Sequence, residues 1–274
     1  MAKRYDDLTF HDDFIFCKVL EQNPVLCREL LELVLGRRVG EIASVNRQKP
    51  VEITANGKGV RFDVYAEGSD GVIYDIEMQN APSDSIAKRS RYSQSMIDLN
   101  LIERGAQYSE LNRSYVIYIC QFNPFGEIGR HEYRFLNLCH EDPEIELGDE
   151  TEKIFLCADG TEDDVSADMQ AFLTYIASNT ASDNFTNELE SEVRKARDHI
   201  QWRTEYMTFL EQLALEREEG RAEGREEGRE EGRAEERANT ERERQRAEAA
   251  EKQAEAAEKE NAELKRQIEL LRNK

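Results

Sequence analysis

The sequence predicts an α/β fold in which helices flank a mixed sheet and a long C-terminal helix follows. Two stretches with period-two alternation, 60–65 and 72–79, are separated by the turn sequence 67–71 and predict an antiparallel hairpin. Residues 83–104 have the pattern of a helix, and the near-continuous apolar run 114–122 is typical of a strand covered on both faces. This order of elements predicts a mixed sheet packed between helices.

The N-terminal part predicts a helical region at 12–35, because apolar residues recur there at helical spacing. Asn23-Pro24 predicts a break in this region, and Gly36 predicts its end. Strand-like alternation follows around 51–54. Farther along the chain, the pattern predicts one more strand and two more helices, at 131–138, at 168–178 and from 187 onward.

The charge of the chain disfavours non-specific binding to nucleic acid. Its 274 residues include 37 Lys and Arg against 58 Asp and Glu, for a net charge of -21. Much of the excess lies in the acidic clusters 141–150 and 162–168, which we expect to be solvated loops. Because phosphate contacts need Lys and Arg, we expect weak non-specific DNA binding.

The cysteines and the absence of apolar segments predict a cytoplasmic protein. No cysteine pair has CxxC spacing, so we expect no zinc site and interpret the thiols as buried groups in a reducing compartment. The first residues lack the apolar stretch of a signal peptide, and no run approaches the roughly 18 apolar residues of a membrane span. The five cysteines are Cys17, Cys27, Cys120, Cys139 and Cys157.

The second strand of the predicted hairpin has one strongly polar face. Period two places Asp75, Glu77 and Gln79 on this face, with apolar residues on the other. Taken alone, such a face is more often exposed to solvent than functional, since half-solvated antiparallel strands are common.

The first strand of the hairpin changes this interpretation. Asp63 lies among apolar residues, and a turn centred on 69–70 places it close to 75–77 of the second strand. Carboxylates that converge in this way repel one another unless a cation lies between them. Oxygen ligands without a nearby His or Cys favour Mg²⁺ or Mn²⁺, which can activate water for attack on a phosphodiester.

At these residues the sequence resembles a known family. Asp63 followed by 77–79 (Glu-Met-Gln) is similar to the D…(D/E)xK motif of PD-(D/E)XK nucleases. More narrowly, it resembles the recombination-promoting nuclease and putative transposase family, in which Gln commonly stands where other members have Lys. The resemblance extends over roughly 8–215, and three further stretches match the family in order: 11–16, Arg89-x-x-Tyr92 and 105–122.

The resemblance implies a restriction-endonuclease-like fold and cleavage of DNA that depends on Mg²⁺ or Mn²⁺. It implies that Asp63 and Glu77 are catalytic metal ligands and that Gln79 takes the place of the motif lysine. Asp13 matches an acid on the family's first helix that completes the metal site. Candidates for DNA contact are the basic residues of helix 83–104, namely Lys88, Arg89 and Arg91.

Each of these assignments has a simpler structural alternative. Asp13 also suits the first turn of a helix, where the helix dipole favours an acid. Arg89 and Arg91 also suit a solvated helix surface. We expect Asp75 to support the ligands or to face solvent rather than to bind metal.

Two functions therefore remain open: an active DNA endonuclease, acting in recombination or in a mobile element, and an inactive nuclease fold that serves as a scaffold. Asp63 and Glu77 favour the nuclease. Gln79 and the acidic charge balance leave room for the scaffold, because a neutral amide stabilises developing negative charge less than lysine does.

The C-terminal part differs in composition and divides the chain into three predicted regions. We predict a nuclease-like domain at 1–215, a charged Glu/Gly/Arg repeat at 216–240 and a coiled coil at 241–274. In the last region a heptad pattern continues for about four repeats and predicts a parallel homodimer, the alternative being a single charged helix. Its a and d positions are Ala247, Ala250, Ala254, Ala257, Asn261, Leu264, Ile268 and Leu271.

Overall fold

A computed structural model describes residues 3–51, 60–83, 85–102, 105–126 and 128–272. Within these ranges, the strands form a six-stranded sheet in the order β1-β2-β3-β4-β6-β5. The strands are β1 (Ile42–Val51), β2 (Val60–Gly68), β3 (Ile73–Gln79), β4 (Ser114–Cys120), β5 (Glu132–Phe135) and β6 (Thr151–Cys157). The helices are α1 (Asp13–Gln22), α2 (Pro24–Leu35), α3 (Ile86–Leu101), α4 (Ala167–Ser178), α5 (Asn184–Asp198) and α6 (Ile200–Arg272).

The predicted mixed sheet is confirmed. β1, β2 and β3 pair antiparallel, β3, β4 and β6 pair parallel, and β5 closes the far edge antiparallel to β6. Parallel strands need covered faces, and all seven residues of β4 are buried, as the apolar run predicts. The sequence analysis missed β6, because its first three residues are polar and only the last four form an apolar run.

Local sequence signals explain how the elements begin and end. Pro24 starts α2 after the break at Asn23, and Gly36 ends α2 in the left-handed conformation with φ 64°. The β2–β3 turn closes through a bond from the Gly68 N–H to the Val72 carbonyl, and Gly71 has a φ of 80°. Glycine adopts such angles at no steric cost, so the turn fixes the register of the hairpin.

α3 packs against the sheet face that includes Tyr65, Val116 and Tyr118, and together they form a buried apolar cluster. Ile86 and Ile97 are the α3 residues at its centre, nearly or fully buried. α1 and α2 contact β1, and α1 also contacts β2 and α5. These helices enclose β2 and β3, the two strands with the candidate site residues.

The chain divides into two compact units, Met1–Tyr206 and Met207–Lys274. The described part of the second unit continues α6 to Arg272. The predicted coiled coil stays a prediction. No helix in the described ranges is both long and apolar enough to cross a membrane.

Within the first unit, a network of ion pairs joins the first turns of α6 to α1 and β1. The Lys18 ammonium lies 2.6 Å from the Glu205 carboxylate, and only 5% of the Lys18 side chain is exposed. Arg47 of β1 pairs with Glu205 at 3.0 Å and with Glu21 at 2.9 Å. Lys18 also lies over the ring of Trp202, 5.1 Å from its centroid. Glu205 thus neutralises a buried cation.

We predict that Glu205→Ala lowers the free energy of unfolding by about 1–3 kcal/mol, because it leaves the buried Lys18 ammonium without a carboxylate. Glu211→Ala is the matched control, since Glu211 is an exposed acid of the same helix, and it should change stability by less than about 0.5 kcal/mol. Urea unfolding followed by circular dichroism measures both. Equal stability of the two variants would contradict the structural role of Glu205.

Candidate active site

The candidate site lies where β2 and β3 stop pairing through their backbones. The paired register runs from Glu67↔Ile73 to Val64↔Ile76 and goes no farther along the described strands. Beyond it the Asp63 N–H donates to Glu77 Oε1 at 3.2 Å, and the Met78 N–H donates to Asp63 Oδ2 at 3.1 Å. The two carboxylates therefore lie between the strands and replace the backbone hydrogen bonds there.

Glu77 is held by a second contact, from α3. Arg89, in the first turns of α3, places its Nη2 2.6 Å from Glu77 Oε2. The Glu77 side chain is 1% exposed, whereas that of Arg89 is 46% exposed. The ion pair thus joins a buried carboxylate to a guanidinium that reaches solvent. Charge-assisted bonds of this kind are stronger than neutral ones.

Asp75 lies deeper in the same sheet face and does not face solvent. It is fully buried, and neither carboxyl oxygen is within hydrogen-bond geometry of a described atom. The Asp75 and Glu77 carboxyls approach each other closely enough to affect each other's pKa, although they do not reach that geometry. The exposed-face alternative for β3 is therefore wrong, since Asp75 and Glu77 are both fully buried.

Burial dominates the electrostatics of the three acids on β2 and β3. Desolvation raises the pKa of Asp63 and of Asp75 well above the ordinary range, and the charge of Glu77 raises both further. Desolvation also raises the pKa of Glu77, against which Arg89 and the Asp63 N–H act. Burial is thus the main cause of the raised pKa values, and the neighbouring carboxylates add to it for Asp63 and Asp75.

Asp13 lies near this group, on the first turn of α1. The residue is exposed, yet protein atoms surround its carboxyl closely enough to raise its pKa by desolvation, and Asp12 adds to the rise. Asp13 also raises the pKa of Asp63. Arg61 and Arg89 lower the pKa of Asp13.

Arg61 is a basic residue near the site that the sequence analysis missed. It lies two residues before Asp63 on β2 and is exposed. The period-two pattern places both on one face of the strand, so the signal was present in the sequence. A cation at this position lies beside the acids and remains open to a substrate.

The remaining predicted residues occupy different positions. Gln79 ends β3 and is half-buried, two residues beyond Glu77, and it adds no charge. Lys88 and Arg91 are exposed on α3. Three basic residues of α3 were predicted to contact DNA: Lys88, Arg89 and Arg91. Within the described ranges, only Arg89 forms an ion pair with a site acid.

The chemistry of the donor set fits a hard divalent cation. Asp63 and Glu77 offer carboxylate oxygens, the ligands that Mg²⁺ and Mn²⁺ prefer, and desolvation is the largest cause that raises the pKa of both. In the part of the chain that the structure describes, no group of three or more His, Cys, Asp or Glu residues has metal-binding geometry. The residues present therefore form a two-carboxylate core, which Asp13 adjoins.

A cleft of about 610 Å³ lies at the carboxyl ends of the parallel strands β3, β4 and β6. Ligands of open α/β sheets bind at such ends. None of the site acids lines the cleft. Pro82, one of its lining residues, follows Gln79 by three residues in the sequence. Its lining residues include Pro82, Ser83, Phe122, Phe125 and Asp159.

Comparison with known proteins agrees with the motif. A family model described as "PD-(D/E)XK nuclease family transposase" matches residues 10–201, which include every acid of the candidate site. No curated protein and no solved structure matches the chain significantly.

The raised pKa values predict a pH-dependent stability. The folded site keeps protons that the unfolded chain releases. Its contribution to stability is therefore present at low pH. This contribution is lost as pH rises from the ordinary carboxyl pKa of about 4 through the raised pKa values of Asp63 and Asp75. We predict that Asp75→Asn, which removes one ionisation and keeps the shape, becomes more stable relative to the unsubstituted chain as pH rises.

Thermal unfolding between pH 5 and pH 8 in EDTA measures this difference. Asp163→Asn is the control for the substitution itself, because Asp163 is an exposed acid. A difference for Asp75→Asn that is constant across the range would contradict the prediction.

Proposed function

Because the chain belongs to the PD-(D/E)XK nuclease transposase family, we propose that it is a metal-dependent endonuclease that hydrolyses phosphodiester bonds of DNA. The observation that supports this best is the pairing of Asp63 and Glu77 between two diverging strands. Burying an acid such as Glu77, which is fully buried, costs free energy. A catalytic use of the pair would explain why this cost is retained.

In this proposal Asp63 and Glu77 hold Mg²⁺ or Mn²⁺, with Asp13 as a third oxygen donor. The ion, when bound, polarises the phosphodiester and lowers the pKa of the attacking water. The protein's own contribution is positional. The Met78 N–H fixes one Asp63 oxygen, the Asp63 N–H fixes one Glu77 oxygen, and each carboxylate keeps further lone pairs for the ion.

In this proposal Gln79 orients the water molecule that attacks the phosphodiester. It follows Glu77 by two residues on β3, so period two places both side chains on the same face. Its amide can donate to and accept from a water molecule, and thereby orient it, but it stabilises negative charge less than an ammonium group does.

DNA contact is proposed for exposed basic residues on α3 and β2, the elements that also hold Arg89 and Asp63. Lys88, Arg89 and Arg91 lie on α3, and Arg61 lies on β2. With a net charge of -21 the chain has little general attraction for phosphate, so these local cations would account for most of the phosphate contacts.

We further propose that the chain forms a parallel homodimer through the heptads of 241–274. Leu264, Ile268 and Leu271 supply most of the apolar seam, and Asn261 at an a position is suited to fix the register. A dimer would provide two nuclease centres, which suits cleavage of both strands.

We predict that the purified chain nicks or linearises supercoiled plasmid in Mg²⁺ or Mn²⁺ and that Asp63→Asn and Glu77→Gln each lower the rate more than about 100-fold. Loss of residues that only support metal ligands costs about 10–100-fold, so loss of a ligand should cost more. Glu67→Gln is the control, since Glu67 is an exposed acid of β2, and it should keep full activity.

If cleavage in both metals never exceeds that of the two site variants, the nuclease proposal fails. The inactive scaffold would then be the better account of the chain.

The dimer has its own test. We predict that the full chain sediments as a dimer whose fraction increases with concentration, and that Ile268→Asp, which places a charge in the seam, makes it monomeric. Lys252→Asp changes an exposed residue outside the seam and should preserve the dimer. A monomer at every concentration would favour the single charged helix.

A further inference from the structure

Within the described residues, no lysine forms an ion pair with an acid of the site, whereas Arg89 pairs with Glu77. The family's motif lysine corresponds to Gln79, which is neutral. Asp75 and Glu77 are fully buried, and Asp63 and Glu77 each accept a hydrogen bond from an N–H of the opposite strand. Phosphodiester hydrolysis adds negative charge at such a centre, which a nearby cation would stabilise.

Arg89 occupies the position of such a cation. Its Nη2 lies 2.6 Å from Glu77 Oε2, and its positive charge lowers the pKa of Asp13, Asp63, Asp75 and Glu77. Arg61, by comparison, lowers the pKa of Asp13. The direct contact with Glu77 places the charge of Arg89 within the site.

The guanidinium of Arg89 also has capacity for a substrate. A guanidinium has five N–H donors in a fixed planar arrangement, and the contact with Glu77 uses one of its nitrogens. Almost half of the Arg89 side chain is exposed, so its other donors can be reached from solvent. Arg89 can therefore contact Glu77 and a phosphate at the same time.

We propose that Arg89 supplies, from α3, the positive charge that a lysine at position 79 would supply from β3, and that it faces the attacked phosphate during cleavage. This proposal rests on the proposed nuclease function. In the reaction, a bond forms between the water oxygen and phosphorus, one phosphorus–oxygen ester bond breaks, and the leaving oxygen gains a proton. Negative charge grows on the non-bridging phosphate oxygens, to which the free N–H groups of Arg89 donate.

The geometry of β3 permits a direct test by charge relocation. Positions 77 and 79 share one face of the strand and are about 6–7 Å apart along it. A lysine side chain covers this distance, so Gln79→Lys would place an ammonium group beside Glu77. If Arg89 acts through its charge, a lysine at 79 should replace it.

The experiment compares the full chain with Arg89→Ala, Gln79→Lys, the double variant Arg89→Ala/Gln79→Lys and the conservative variant Arg89→Lys. One readout is plasmid cleavage in Mn²⁺, with kcat and KM determined separately. A second readout, which needs neither metal nor activity, is thermal unfolding in EDTA at low salt. Arg194→Ala is the control, since Arg194 is an exposed arginine of α5.

We expect Arg89→Ala to lower kcat about 100-fold, in the range seen when one transition-state donor is removed, with little change in KM. The double variant should recover at least 10-fold of this loss, Arg89→Lys should retain part of the activity, and Arg194→Ala should have none of these effects. In EDTA, Arg89→Ala should lower the unfolding temperature, and Gln79→Lys should restore it in the double variant.

Two results would overturn the proposal. The first is that Arg89→Ala changes KM alone, which indicates that Arg89 only binds DNA. The second is that the double variant exceeds Arg89→Ala neither in kcat nor in unfolding temperature. If the unsubstituted chain does not cleave DNA, the nuclease function fails and the transition-state role of Arg89 is overturned with it. The unfolding measurements then decide separately whether position 79 can replace the charge of Arg89.

Discussion

The candidate site depends on the replacement of backbone pairing by carboxylate contacts between β2 and β3. Past Val64 and Ile76 the two strands are joined by the side chains of Asp63 and Glu77, each accepting from an N–H of the opposite strand. A buried N–H that lost its carbonyl partner would cost about 1–3 kcal/mol, so the carboxylates are part of the sheet as well as part of the site. This double use fixes the acids more rigidly than a loop could, because each is tied to the backbone of the neighbouring strand.

The same arrangement makes the site intrinsically unfavourable for folding. β3 is a central strand that β2 and β4 flank, and α3 covers the face with Asp75 and Glu77, so water cannot screen these acids. Arg89 offsets part of the charge from outside the sheet. Natural proteins retain such local costs mainly at functional sites, and the apolar packing around β4 supplies the stability that the acids remove.

The sequence allowed the central part of the fold to be predicted, but not the environment of the site. The turn after β2 and the alternation of both strands were sufficient to place Asp63 near Glu77, because a hairpin has a local register. The burial of Asp75 was not predictable, since period two tells which residues share a face and not what covers that face. The Arg89–Glu77 contact was missed for the same reason: it depends on how α3 packs, which involves residues far apart in the sequence.

The charge of the whole chain and the charge of the site have different consequences. A net charge of -21 weakens attraction to DNA at long range, but at physiological salt such fields decay over about 8 Å. Arg61 and Arg89 act within the site itself, as their effect on Asp13 shows. Under the proposed nuclease function, a phosphate would gain most where it meets these arginines together with a cation held by the carboxylates. The negative charge of the rest of the chain would lower binding to DNA away from the site.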